Sequence, residues 1–212
     1  LGQTEPRSIQ LLFFLHTCNL VLCDKKMQAA IEVTTITQTL NFIAFQILWF
    51  GCVVGGGAHG ELWIASLSLI PLILLVLFQS SLWLDFMLAF TATALGLSLE
   101  YIWIKLGILS FSGAAFPPVW MGFLWFGFAL TINHSMRFFR DSPIIGPLIV
   151  GFFGPITYLA GEKLGAVVVM DYFLLVLIIP AWIFLFHFLR TLSLKVDKQQ
   201  SIHRKQTNHF GH

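Results

Sequence analysis

Six apolar stretches of 17 to 23 residues, each with few or no charges, take up most of this 212-residue chain: residues 40–58, 62–78, 82–104, 119–139, 144–160 and 172–189. A helix crosses the roughly 30 Å hydrocarbon layer of a bilayer in about 20 residues. Lipid offers backbone amides and carbonyls no partners, so stretches this apolar must satisfy them internally, as helices. The short alternating segments of a membrane barrel are absent. Only 10% of residues are charged, against about 25% in a soluble domain. The predicted fold is therefore all-α: a polytopic transmembrane helical bundle of six spans. It comprises one domain over 40–190, an amino-terminal extension over 1–39 and a basic tail over 191–212. A net charge of +2, spread over segment ends, excludes nucleic acid as a partner. Membrane lipids, and another membrane protein, are the partner classes that remain.

The placement of Lys and Arg predicts the threading. With the amino end in the cytoplasm, the inside stretches hold Arg7, Lys25, Lys26, Arg137, Arg140, Arg190, Lys195, Lys198, Arg204 and Lys205, and the outside stretches hold Lys105 and Lys163. Cytoplasmic loops carry the excess of Lys and Arg, so both ends are expected inside. The chain opens on Leu1, and the apolar run 9–23 lacks small residues at a cleavage site, which argues against a secretory signal. That run reads as an upstream extension with Met27 as a natural start, or else as a re-entrant or interfacial segment. The tail 195–212 reads as disordered and close to the membrane. Cys18, Cys23 and Cys52 have no metal spacing and suggest no disulfide framework. Neither a metal site nor a cofactor is expected.

Lipid removes the hydrophobic drive between helices, so packing relies on small residues. Gly51-Cys-Val-Val-Gly55 with Gly56 and Gly57, Ala92-Thr-Ala-Leu-Gly96, and Gly146, Gly151, Gly154 and Ala160 supply such strips. Pro155 removes one backbone hydrogen bond from the fifth span, so a kink is expected there. The seven Trp fall mostly near span ends, where interfacial belts sit.

Ionisable groups at membrane depth cost about 2.5–3.5 kcal/mol even on a mild insertion scale, so each needs a reason. Sorted by depth, they form two layers. Asp85 lies one turn inside the third span. Spans four and six run antiparallel to it and bring Asn133, His134, Arg137 and His187 to the same inner layer. Besides a metal site, for which a His pair at i and i+4 on one helix is missing, two readings stay open for this layer. One is an acid–base cluster, since a His beside a carboxylate titrates near neutrality. The other is interhelical hydrogen bonding by Asn133 and His134, with Arg137 and His187 snorkelling to the interface. The match of Asn133-His134-Ser135 to a glycosylation acceptor is accidental within a span. Glu100 lies fifteen residues beyond Asp85, about 22 Å at 1.5 Å per residue. Its outer layer also collects His59, Glu61, Lys105, Tyr158, Glu162 and Lys163. Glu100 is expected either to pair with Lys105 or Lys163 or to floor a pocket beneath the uncharged loop 107–118, itself expected to lie in the interface.

Several segments together resemble a known family: Leu106-Gly-Ile-Leu-Ser-Phe111, Pro118-Val-Trp-Met121 with Leu124-Trp125, Phe128-Ala-Leu-Thr-Ile-Asn-His-Ser135, Gly154-Pro-Ile-Thr-Tyr-Leu-Ala-Gly161 and Leu164-Gly-Ala166. Over residues 41–189 the chain is similar to an uncharacterised bacterial inner-membrane family, the domain of unknown function 2878 family. The resemblance implies a bacterial inner-membrane location and no particular reaction. It also implies Asp at the position of Glu100, where this chain keeps a carboxylate.

Three function classes follow. One is a carrier or accessory subunit handling lipid or a small molecule. Another is an intramembrane enzyme using the Asp85, Asn133 and His134 group. The last is a structural partner of another membrane complex. No inverted repeat relates the two halves, as it does in many transporters. Hydrolase, zincin, phosphate-loop and dithiol motifs are absent.

Overall fold

In the computed structural model the described residues are 27–28, 32–79 and 82–209, with side chains through Gln199. Cys18, Cys23 and the run 9–23 lie outside them. The chain divides into two units, Leu1–Thr39 and Leu40–His212. In the first, residues 27–28 and 32–39 are helical, and Thr37 and Thr39 donate their hydroxyls to Val33 O and Thr35 O. The second unit holds the bundle.

Four helices among the described residues are long and apolar enough to cross a membrane. They are α1 (Glu32–Ala58), α4 (Leu82–Lys105), α7 (Ile145–Lys163) and the stretch Leu174–Gln199. The last opens with a 3-10 turn, Leu174–Leu177, and continues as α8, Ile178–His209. The second and fourth apolar stretches form shorter elements. Pro71 starts a new helix, so that stretch splits into α2 (Leu62–Ser68) and α3 (Ile70–Leu77), because a proline fits the first turn of a helix and not its interior. The fourth gives α5 (Val119–Ala129), a run of turns over residues 130–136, and α6 (Arg137–Asp141). The expected disordered tail is instead helical as far as His209, since α8 continues unbroken past the apolar stretch.

The last eight residues of α1, Gly51–Ala58, form a π-helix. Its glycines are seats for neighbours. A Cβ at Gly51 would lie 2.3 Å from Ser68 Oγ, one at Gly55 2.6 Å from Ile64, one at Gly56 2.8 Å from Trp120 and one at Gly57 2.5 Å from Ala166. The small residues thus let α2, α5 and the loop after α7 close on α1 at van der Waals distance, the packing that lipid demands. Gly96 on α4 receives the Trp125 ring in the same way, and Gly154 on α7 receives Trp182.

At one end of the bundle the loop 107–118 turns back. Residues Leu109–Ser110 (β1) pair antiparallel with Val168–Val169 (β2), with Leu109 opposite Val169. Ile108, Leu109 and Phe111 are buried and residues 112–116 exposed, so only the first half of that loop packs on protein. Of the Trp residues, Trp103, Trp120 and Trp125 are buried inside the bundle and do not form an interfacial belt, while Trp63 and Trp83 are exposed.

Candidate functional site

The turns over residues 130–136 keep most of their N–H groups on nearby carbonyls, among them Leu130 on Phe126 O, His134 on Thr131 O and Met136 on Thr131 O, and side chains serve part of the rest, as an apolar environment requires. Thr131 Oγ1 donates to Phe128 O at 2.6 Å. From α1, Asn41 Nδ2 donates to Leu130 O at 3.4 Å, and its Oδ1 accepts from Ser135 N and Oγ at 3.3 and 2.7 Å. One side chain therefore stitches both sides of the break.

Held by those turns, Asn133 and His134 meet Asp85, which is fully buried on α4. Asn133 Nδ2 donates to Asp85 Oδ1 at 2.7 Å, and His134 Nε2 lies 3.0 Å from Oδ2. The amide oxygen of Asn133 then accepts from Ser193 Oγ on α8 at 2.6 Å and from Arg140 Nη1 at 2.9 Å. Arg140 is itself buried; its Nη1 reaches Asp197 Oδ2 at 3.1 Å and its Nε reaches Asp141 Oδ1 at 2.9 Å. This clasp ties α4, the 130–136 turns, α6 and α8 together. Arg140, Ser193, Asp197 and Asn41 are members that depth-sorting missed. Two expected members do not join. Arg137 is exposed and pairs only with Asp141 at 3.6 Å, and His187 is exposed on α8. Arg137 lies on the exposed side of α6, and His187 lies six residues, about 9 Å, before Ser193 along α8 and so outside the layer of the clasp.

A second polar centre lies at Glu100, also fully buried. Trp125 Nε1 donates to its Oε1 at 3.2 Å, and the Tyr158 hydroxyl donates to the same oxygen. Its Oε2 has no hydrogen-bond partner among the described residues. The expected ion pair with Lys105 or Lys163 does not form. Five residues carry Lys105 about 140° round the helix from Glu100, and its ammonium lies over the Tyr101 ring at 5.1 Å. Lys163 is exposed where α7 ends. Glu162 braces the loop instead, accepting from Val169 N at 2.9 Å and from the Tyr172 hydroxyl at 2.8 Å. His59 and Glu61 are exposed.

Glu100 lines a cavity of about 580 Å³, within the 300–1,000 Å³ range of small-molecule sites. Its interior wall is aromatic: the ring centroids of Trp125 and Trp182 are 5.0 Å apart, Phe128 and Trp182 5.8 Å, and Tyr158 and Trp182 6.4 Å. Toward the 130–136 turns the lining reaches Ser135 and Phe139, and toward β2 it reaches Ala166 and Val167, so the space is elongated along the bundle. Phe42 and Phe50 of α1 and Phe153 and Ile156 of α7 also line it, and all four are exposed on the bundle exterior. The cavity therefore opens sideways between α1 and α7. Asp85, Asn133 and His134 are not in its wall. Among the described residues no three His, Cys, Asp or Glu side chains converge as metal ligands.

Helices of spanning length around a buried polar clasp and a laterally open aromatic cavity define a multi-pass α-helical membrane protein. The chain belongs to the family described as protein of unknown function (DUF2878), whose model matches residues 38–188. That match takes in Glu100 and, of the clasp, Asn41, Asp85, Asn133, His134, Arg140 and Asp141, while Ser193 and Asp197 lie beyond it. No curated protein and no solved structure matches the chain.

Proposed function

We propose that this is a bacterial inner-membrane binding protein, a carrier or accessory subunit, that takes an elongated apolar molecule from the bilayer into its interior. The observation that carries the reading is the cavity: lined by aromatic rings and the buried carboxylate of Glu100, with exposed Phe and Ile side chains of α1 and α7 at its side. Those exposed side chains frame the side of the cavity and suit entry of an apolar molecule from lipid. The clasp at Asp85 serves this site indirectly, by fixing the broken fourth segment whose residues Thr131 and Ser135 line the cavity. Its donors and acceptors are spent on one another, which favours the bridging reading of that layer over acid–base chemistry.

Six crossings with both ends cytoplasmic complete the proposal, supported by the ten-to-two division of Lys and Arg. The sixteen residues of Leu62–Leu77 reach about 24 Å, short of the roughly 30 Å core. The exposed flanking residues Trp63 and Phe78 suit the interfaces at the two ends of such a short crossing.

The test is the lipid that accompanies the purified protein. Mass spectrometry of the wild type should find a tightly held lipid-soluble molecule that Ala160→Trp, which fills the cavity wall, releases. An identical complement of bound molecules in both proteins would refute the reading.

A further inference from the structure

We propose that the ligand is a cationic amphiphile, an alkyl amine whose ammonium seats on Glu100 Oε2 while its chain lies in the aromatic cleft. This rests on the cavity being a ligand site, and goes beyond it by naming the chemistry recognised there.

Three observations converge. Glu100 is fully buried, and while Oε1 takes the Trp125 and Tyr158 donors, Oε2 has no partner among the described residues. A buried carboxylate oxygen without a donor carries a desolvation cost that a partner must offset. Second, no Lys, Arg or His lies among the residues lining the cavity, so the described protein supplies no counter-cation and a ligand is left to bring it. Third, Trp125, Tyr158, Trp182 and Phe128 line the cavity together with Glu100. Aromatic rings attract cations through their quadrupoles, most strongly Trp and most strongly away from water. A carboxylate that shares a cavity lining with aromatic rings matches an ammonium on both counts.

The same arrangement discriminates. An anionic head, such as a fatty carboxylate, would meet Glu100 with no basic side chain to compensate. An alcohol can share a hydrogen bond with Oε2 but gains nothing from the rings. The order expected for chain-matched ligands is amine, then alcohol, then carboxylate.

The experiment uses the full-length chain in uncharged detergent at neutral pH, titrated with dodecylamine, dodecanol and dodecanoate, and read by the fluorescence of the cavity tryptophans. Wild type should bind the amine at least ~10-fold tighter than the alcohol, the scale of a desolvated cation–aromatic contact plus an ion pair. Glu100→Gln, which keeps the shape and can still accept from Tyr158 and Trp125, should remove that advantage while leaving the alcohol within about threefold. Retained alcohol binding also shows that the variant is folded. Trp182→Leu should cost the amine more than the alcohol. Equal affinity for amine and alcohol in the wild type, or amine binding unchanged in Glu100→Gln, overturns the cationic assignment, while alcohol binding that Ala160→Trp abolishes would leave the cavity reading standing. Absence of binding by every probe, or binding indifferent to Ala160→Trp, overturns both.

Discussion

Replacing Gly96 by Ala puts one methyl group against the wall that positions Glu100. Its Cβ would lie 2.2, 2.4 and 2.5 Å from Cδ2, Cγ and Cε2 of Trp125, where ordinary contact begins at 3.4 Å, so the ring must retreat by about 1.2 Å. Retreat presses the indole onto Trp182 and Phe128 and draws Nε1 away from Glu100 Oε1, already 3.2 Å distant. Overpacking of this kind costs about 1–3 kcal/mol, and a lost interhelical hydrogen bond in a membrane averages about 0.6 kcal/mol. Gly122→Ala is the matched control. It lies on α5, facing α4, and its Cβ would meet only Leu97 and Thr93, at 3.6 and 3.9 Å. Both substitutions gain the same helix preference for Ala, which cancels in the comparison. Gly96→Ala should therefore be less stable than Gly122→Ala by about 1.6–3.6 kcal/mol, the sum of the packing and hydrogen-bond losses. Reversible unfolding in mixed micelles, followed by far-ultraviolet circular dichroism, measures the difference. Equal stability of the two variants would refute the placement of Trp125 against Gly96, and with it the geometry of the cavity wall.

Other expectations follow from the clasp and the threading. His134→Gln should be nearly neutral because an amide can still donate to Asp85, whereas His134→Leu should lose about 1 kcal/mol, the usual scale for interhelical hydrogen bonds in membranes; the same unfolding assay separates them. Arg140→Lys should cost about 1–2 kcal/mol, since an ammonium cannot reproduce the fork that joins Asp141, Asn133 and Asp197. Arg137→Lys, on an exposed pair, should change stability by less than about 1 kcal/mol. Reporter fusions after Gly60, Ser112 and Lys163 should mark the periplasm, and those after Ser80, Asp141 and Lys195 the cytoplasm; consistent inversion would sink the proposed orientation.

Depth along a helix is legible in a sequence because rise per residue is fixed, and it brought Asp85, Asn133 and His134 into one layer. Azimuth is not legible where the helix breaks. Once residues 130–136 leave α geometry, the 3.6-residue count no longer says which of Arg137 and Arg140 faces inward. Arg140 turns in and Arg137 out. A local signal for the break exists in the run Thr-Ile-Asn-His-Ser, whose side chains compete for nearby backbone; Thr131 does so. Ser193 and Asp197 were hidden by the polar composition of the tail, which is helical because α8 runs on through it. At the other centre, Gly96 and Glu100 are four residues apart and so share a face of α4. A small residue one turn from a buried acid is the trace of a large partner packing there, and it points to a Trp rather than to Lys105.

The most direct test of the central claim is a density map of the full-length protein in nanodiscs. Elongated density should enter between Phe50 of α1 and Phe153 of α7 and end beside Glu100 Oε2, with Trp125 and Tyr158 holding the other carboxylate oxygen. A cleft closed by α1 packed against α7, or Glu100 turned to pair with Lys105 or Lys163, would contradict it.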